Sequence, residues 1–282
     1  MIIGHKKQQQ FLKKIISSRE IPHALLFTGP EGLGKKTIAL QFLSSLFGEK
    51  LFQHPDFSLI TPITKQIQIN QIRDLRWRLS LKPIKAPLLG AVVDKAHLMT
   101  REAQNCFLKT LEEPKSRSLL ILISEYPNYL LSTIVSRCEK IKFYQVENRE
   151  ITSYLEKKKV SKEKIEEIVE ISLGRPGRAV NILQNPEKLE ERKKKIRELI
   201  KISGSPLSLR FKYVKELAQQ QDLKETLGIW LFYFRKGLIS CRNRTELIKI
   251  KNILKAVQET MFLLSTTNVN PRLALEILTM KL

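Results

Sequence analysis

Residues 29 to 36 read Gly29-Pro30-Glu31-Gly32-Leu33-Gly34-Lys35-Lys36, the spacing of a P-loop. Glycines let backbone N–H groups turn toward phosphate oxygens at a helix N-terminus, while the ammonium of Lys35 reaches the terminal phosphates. In a loop that hydrolyses nucleotide, the residue after this lysine is Ser or Thr, whose hydroxyl holds Mg²⁺. Lys36 stands there instead. Thr37 comes one residue late, about 100° further round the helix, and cannot reach the same metal without moving the backbone. A second lysine follows the apolar run Leu88-Leu89-Gly90-Ala91-Val92-Val93. Asp94 closes that run with a metal-side carboxylate, at the carboxyl end of a predicted strand, where open α/β sheets bind ligands. Lys95 then occupies the place of a water-activating Glu, and general-base assistance is worth about 10²–10⁴ in rate. His97 is a candidate replacement for that base, against the plainer reading of a structural or surface histidine. The frame for binding nucleotide survives, and the parts for hydrolysing it do not. Gly29, Gly32, Gly34, Lys35, Thr37 and Asp94 are the candidate nucleotide-binding residues of a degenerate site. A loop whose glycines remain only for packing is the alternative.

These residues need a scaffold that delivers loops to one end of a sheet. From His23 to Phe143 strands and helices alternate, with strands at 24–28, 57–61, 88–94, 118–124 and 140–143. Helices are predicted at 35–47, 69–81 and 101–113, with a short one around 129–136. The strands are apolar on both faces with little alternation, as parallel strands covered by helices on both sides are. An α/β sandwich on a central parallel sheet is the expected architecture. After Val146 the strand signal ends. Segments 147–158, 162–171 and 178–183 read as three short helices, with Ser161 placed to cap the second and Gly174-Arg175-Pro176-Gly177 breaking the chain before the third. Beyond Pro186 amphipathic helices follow at 189–202, 207–219, 223–240, 245–264 and 271–282. Trp230, Phe232, Tyr233 and Phe234 either face a partner or fill a core, and the i, i+4 spacing of Trp230 and Phe234 favours the core.

At 282 residues with 42% hydrophobic content the chain is long enough for two or three domains, and nothing in it suggests disorder. Its longest apolar stretches, such as Leu119 to Ile123, are strand-sized, well short of the roughly 20 residues that span a bilayer. The N-terminus reads into helix-like sequence from His5 to Ile16 with no secretory signal pattern, so a cytoplasmic protein without membrane partners is expected. Cys106, Cys138 and Cys241 are far apart and odd in number, which fits reduced thiols and leaves no CxxC pair. The net charge of +22 is shared along the chain, with 23 basic against 13 acidic residues through position 150 and 27 against 15 after it. Such a field favours polyanions, including DNA. A generally basic protein with solvated lysine-rich helix faces, such as those at 157–159 and 192–195, is the bland reading.

Ser136-Arg137-Cys138 precedes the last predicted strand. An Arg at a domain surface can reach phosphates in a neighbouring subunit's site and stabilise charge on a transferred phosphoryl group. Alone it would read as a surface ion pair. Its setting is more specific. The stretches from Pro22 to Pro30, His54 to Phe57, Ile69 to Arg76 and Ala103 to Pro114, the last ending in Lys109-Thr110-Leu111-Glu112-Glu113-Pro114, join Ser136-Arg137-Cys138 in closely resembling clamp-loader subunits of the AAA+ class. That class includes the delta-prime and gamma/tau subunits of bacterial DNA polymerase III holoenzyme. The run from Asn268 to Glu276 resembles the end of delta-prime, so the resemblance covers nearly the whole chain. In physical terms Asn270 is placed there as an N-cap, with Pro271 at the first helical position.

The resemblance implies an AAA+ P-loop α/β domain with a five-stranded parallel sheet at residues 1–145, a small helical lid at 146–186 and an all-α collar domain for oligomerisation at 187–282. It implies a ring of five, with gamma/tau and delta subunits as partners, that opens the sliding clamp and places it on primed DNA. Delta-prime subunits commonly do not hydrolyse ATP and offer the Arg of this SRC segment to the neighbouring gamma-type site. Arg137 matches that position and is expected to act catalytically in trans, with no cofactor required by the chain itself. Ser124 stands where active members carry a polar sensor, and in the lid Gly177 rather than an Arg falls at the nucleotide-sensing position, leaving Arg178 unassigned. Many relatives insert a four-cysteine zinc module before the His54-Pro55-Asp56-Phe57 segment. Here residues 48–53 lead directly to His54 without a cysteine, so no zinc and no other metal is expected. Two further readings stay open: an active ATPase of gamma/tau type, with Thr37 or His97 compensating for the lost groups, and a DNA-binding accessory protein driven by charge.

Overall fold

The computed structural model describes residues 2–18, 20–48, 50–219, 223–241, 243–266 and 269–282. Glu49 and Asn268, which belong to segments quoted above, lie outside the described residues. The chain divides into two compact units, Met1–Asn181 and Ile182–Leu282.

The first unit is built on five strands, β1 (Ala24–Thr28), β2 (Phe57–Ile60), β3 (Leu89–Val93), β4 (Ser118–Ser124) and β5 (Glu139–Lys142), in the order β2-β3-β4-β1-β5. Every pairing is parallel. Successive side chains of a strand point to opposite faces, and here both faces are covered. Leu25 and Phe27 of β1 join Leu119, Ile121 and Ile123 of β4 in a core against α1 (Lys6–Ser18) and α2 (Lys35–Phe47). Leu26, Leu120 and Leu122 face the other way, into a core shared with Ile72 and Leu75 of α3 (Ile69–Leu79) and Phe107 and Leu111 of α4 (Arg101–Glu112). In β1, β3 and β4 neither face meets water, which is why they lack alternation; β5 departs from that expectation, with Ile141 buried and Glu139, Lys140 and Lys142 exposed. A short helix α5 (Ser132–Ser136) leads into β5.

Helices α6 (Asn148–Lys157), α7 (Lys162–Ser172) and α8 (Pro176–Gln184) complete the lid segment. Two expectations change in detail. Ser161 sits at the N-cap of α7 with extended backbone, but its side chain makes no cap hydrogen bond. Gly174 to Gly177 does not break the chain before a helix at 178, because α8 begins at Pro176. Proline's fixed φ and missing N–H suit a first helical position, so the breaker residue is the initiator.

In the second unit α9 (Glu187–Ser203), α10 (Leu207–Leu217), α11 (Leu223–Ser240), α12 (Arg244–Thr266) and α13 (Pro271–Met280) enclose one core. Trp230 is fully buried and stacks on Tyr213 with ring centroids 6.5 Å apart, and Phe234 is buried beside them, which settles these aromatics as core. Arg210 donates to the carbonyls of Ser203, Ser205 and Thr279, satisfying groups that helix ends leave without partners. Asn270 caps α13 through the N–H of Arg272, with Pro271 at the first turn, as expected. Among the described residues no helix is long and apolar enough to cross a membrane.

Candidate functional site

The parallel register brings the carboxyl ends of β1, β3 and β4 together. Thr28 lies opposite Ser124, Val93 lies opposite Leu122, and Asp94 follows directly. From Thr28 the chain turns into the glycine loop, with Gly29, Gly32 and Gly34 all at positive φ. Gly34 is the left-handed N-cap of α2, a conformation glycine adopts without steric cost.

Lys35, the phosphate-directed lysine, is buried and turned back on the loop. Its Nζ donates to the carbonyls of Gly29 at 2.5 Å and Pro30 at 2.6 Å. Burial lowers its pKa below the ordinary lysine value, and Glu125, Glu31 and Asp94 oppose that shift. Lys36 Nζ lies 3.1 Å from Asp94 Oδ2. A divalent cation held between a hydroxyl and this carboxylate needs oxygen ligands, and an ammonium offers only donors. The donor set therefore does not fit Mg²⁺: Lys36 supplies the positive charge beside Asp94. Thr37 is exposed on α2. The groups that fit phosphate are the loop amides around Gly29, Gly32 and Gly34 together with Lys35.

Lys95 takes a left-handed conformation at φ 54° and pairs with Glu31 of the loop at 3.3 Å. Partial burial pulls its pKa down, but Glu31, Glu125 and Asp94 together raise it above the ordinary value, so it is a firm cation where a base was needed. His97 accepts at Nδ1 from the Glu125 N–H at 3.4 Å, stands 3.5 Å from the Ser124 hydroxyl and packs edge-on against Tyr126. Burial, then Lys95 and Lys35, lowers its pKa, so the ring is neutral and fastened to the end of β4. Ser124 is buried beneath it. Burial and Glu31 raise the Glu125 carboxyl above its usual range against the pull of Lys35, Lys95 and Arg175. Glu31, Glu125 and Arg175 were missed in the sequence reading, because only folding brings loop, strand end and lid to one place.

The start of α8 meets this loop. The N–H of Gly177, a donor that the first turn of α8 leaves without a helical acceptor, reaches the Gly32 carbonyl at 2.7 Å. A Cβ on Gly177 would lie 2.9 Å from that oxygen, so the position favours glycine. A Cβ on Gly32 would meet the Cβ atoms of Arg175 and Arg178 at 3.6 Å, which places both lid arginines beside the loop.

Arg137 lies elsewhere. It caps α5 and precedes β5, which runs parallel to β1 with Glu139 opposite Leu25 and Lys142 opposite Thr28. Arg137 therefore stands at the amino end of the sheet and the glycine loop at its carboxyl end, separated by the length of β5, about 13 Å at the usual rise. Its guanidinium is half-exposed, with Nη2 at 2.9 Å from Glu112 Oε1 and Nη1 donating to the Thr133 carbonyl at 3.1 Å. The structure thus unites Gly29, Gly32, Gly34, Lys35 and Asp94 at one end and sets Arg137 apart.

A sequence model of the family described as "DNA polymerase III, delta subunit" matches residues 4–147. The chain is 31% identical over 191 residues to a replication factor C small subunit of Aeropyrum pernix, covering 65% of this chain and 58% of that protein. It is 30% identical over 209 residues to DNA polymerase III subunit delta' of Bacillus subtilis, covering 67% of this chain and 63% of the relative. The chain thus spans less than two thirds of the length of either relative. Among solved structures, a DNA polymerase III gamma subunit-related protein of Thermotoga maritima aligns over 95% of this chain and 97% of its own length, with TM-score 0.51 and 18% identity. Thermotoga maritima RuvB aligns over 70% of this chain and 64% of its own, with TM-score 0.51 and 17% identity. At such identities the two structures establish the fold, that of an AAA+ P-loop protein with a parallel five-stranded sheet and a helical C-terminal region.

Proposed function

The chain belongs to the DNA polymerase III delta subunit family, and from that premise we propose that it is a delta-prime-like subunit of a replicative clamp loader. In this reading it joins gamma/tau-type and delta subunits in a five-membered ring and helps load the sliding clamp onto primed DNA. Its own nucleotide site is silent, and Arg137 is supplied in trans to a neighbouring ATPase subunit.

The position of Arg137 carries the proposal. A guanidinium on the end of the sheet away from its own glycine loop has no route to a phosphate bound there. Half-exposed at the domain edge, it is available to another chain. The loop supports the same reading from the other side: Lys36 displaces the metal, Lys95 displaces the base, and the ammonium of Lys35 is satisfied by carbonyls. The charge of +22 favours encounter with primed DNA.

The test is ATP turnover of a complex reconstituted with gamma/tau-type ATPase and delta subunits, comparing wild type with Arg137→Ala. An arginine finger is worth 10³ or more in the rate of the site it serves, so that site should fall silent, by roughly 10³-fold. Unchanged turnover refutes the trans role. The gamma/tau-type ATPase reading has its own signature, Mg²⁺-dependent hydrolysis by the isolated chain that Lys35→Ala abolishes.

A further inference from the structure

Arg137 is bound before any partner arrives. Its guanidinium is held between the carboxylate of Glu112, the last residue of α4, and the carbonyl of Thr133 in α5. Both supports belong to helices packed on the core. The α4 helix is anchored in the core by Phe107 and Leu111, and Ile134 and Cys138 on either side of Arg137 are buried. We propose that Glu112 is the positioning residue for Arg137: together with the Thr133 carbonyl it fixes the plane of the guanidinium at the domain edge and turns the remaining donors outward, toward a polyphosphate bound by the neighbouring subunit. This inference rests on the trans-acting reading above.

The hydrogen-bond inventory allows both roles at once. A guanidinium carries five N–H donors in a fixed fork; the Thr133 carbonyl takes one at Nη1, and the Glu112 ion pair engages at most one more at Nη2. At least three remain, enough for the paired N–H donors that phosphate recognition by arginine uses. Glu112 therefore need not release Arg137 when phosphate is engaged. Restraint also has a physical benefit. Arg is a long side chain with many rotamers, and fixing it beforehand removes part of the ordering cost that engagement would otherwise impose. The location of the carboxylate calls for the same explanation. The last turn of a helix is the end where negative charge is disfavoured by the helix dipole, and Arg137 is the cation bonded to Glu112 there. An ion pair this exposed contributes little to folding, so stability does not account for it.

The experiment uses the reconstituted complex with Glu112→Gln, Glu112→Asp, Arg137→Ala and the Glu112→Gln/Arg137→Ala double variant. Gln keeps the shape and loses the charge; Asp keeps the charge one methylene shorter. Glu112→Gln should lower turnover of the site that Arg137 serves at saturating ATP, by up to about 10²-fold, the scale on which misplacement of a reacting group costs rate, with the KM for ATP and the melting temperature unchanged. Asp should restore part of that loss. In the Arg137→Ala background, Glu112→Gln should have no further effect, because the residue acts through the missing guanidinium. Full activity of Glu112→Gln alongside a damaged Arg137→Ala complex overturns this inference and leaves the trans reading standing. An equal loss from Glu112→Gln with and without Arg137 also overturns it. If Arg137→Ala leaves turnover unchanged, both the reading and the inference fall.

Discussion

At the carboxyl end of the sheet, Lys35, Lys36 and Lys95 direct their charge at the chain's own Gly29 and Pro30 carbonyls, Asp94 and Glu31. At the amino end, Arg137 meets one half-exposed carboxylate and one carbonyl, and its own side chain is 39% exposed. In the first region the cations are met by the chain's own oxygens, and in the second the guanidinium stays half-exposed. Two charge clusters on one sheet thus differ in whether the fold consumes the charge or displays it. Consumed charges should register in stability or in silencing when changed; a displayed charge should register in the partner's chemistry.

A buried carboxylate away from both clusters gives the strongest test of the consumed class. Asp56 is buried and accepts from the N–H groups of Ile84, Lys85 and Ala86, each at 2.8 Å. Asp56→Ala leaves three donors without that acceptor and should cost about 3 kcal/mol, read from denaturant unfolding. The pH dependence has a definite sign. Burial pushes the Asp56 carboxyl up, but the three N–H donors and His54 pull it below the ordinary value. Its contribution is therefore complete above the unfolded carboxyl's value of about 4 and is lost as pH falls through the lower folded value. The stability gap between wild type and Asp56→Asn should narrow in acid over that window, and a gap constant from neutral to strongly acid pH would contradict the assignment.

The loop supplies a second test, of about 10²-fold in rate. In the isolated chain, Lys36→Thr combined with Lys95→Glu returns a metal-binding hydroxyl and a base to the places the lysines occupy. Magnesium-dependent ATP turnover should rise by that factor over wild type. No rise would break the comparison, because the two lysines would then not be what limits turnover at the loop.

The smallest effect concerns the lid. Gly177→Ala places a methyl 2.9 Å from the Gly32 carbonyl, and crowding of this kind costs about 1–3 kcal/mol, partly offset by alanine's better helix propensity. A net loss of about 1 kcal/mol is expected, with faster amide exchange at residue 177. Unchanged exchange would mean that the Gly177–Gly32 hydrogen bond does not hold the lid segment to the loop.

How much was legible differs between these regions. The glycine loop, both lysine substitutions and the central strands β1, β3 and β4 could be read because each depends on local spacing: a strand covered on both faces is a short apolar run, and a P-loop is a fixed interval of glycines. The start of α8 was misread because Pro176 and Gly177 carry breaker signals. Gly177 serves instead to let a helix N-terminus touch Gly32, a residue 145 positions earlier. Glu31 and Glu125 were passed over since a surface glutamate and a glutamate after a strand have no distinguishing pattern. Glu112 was read only as part of a family segment. Its role depends on a residue 25 positions later that returns to the end of α4.

By itself the amino-acid sequence determined that Lys36 and Lys95 stand where a P-loop ATPase places a hydroxyl and a carboxylate, because that is a matter of residue identity at fixed spacing. It also pointed to the layered sheet, through the short apolar runs of β1, β3 and β4 bounded by turn residues. The tertiary structure alone decided where each charge is directed: that Lys36 meets Asp94, that Lys95 meets Glu31, and that Arg137 stands at the end of the sheet away from its own loop. Ion pairing depends on distance in space, and strand order and parallel register set that distance independently of separation along the chain.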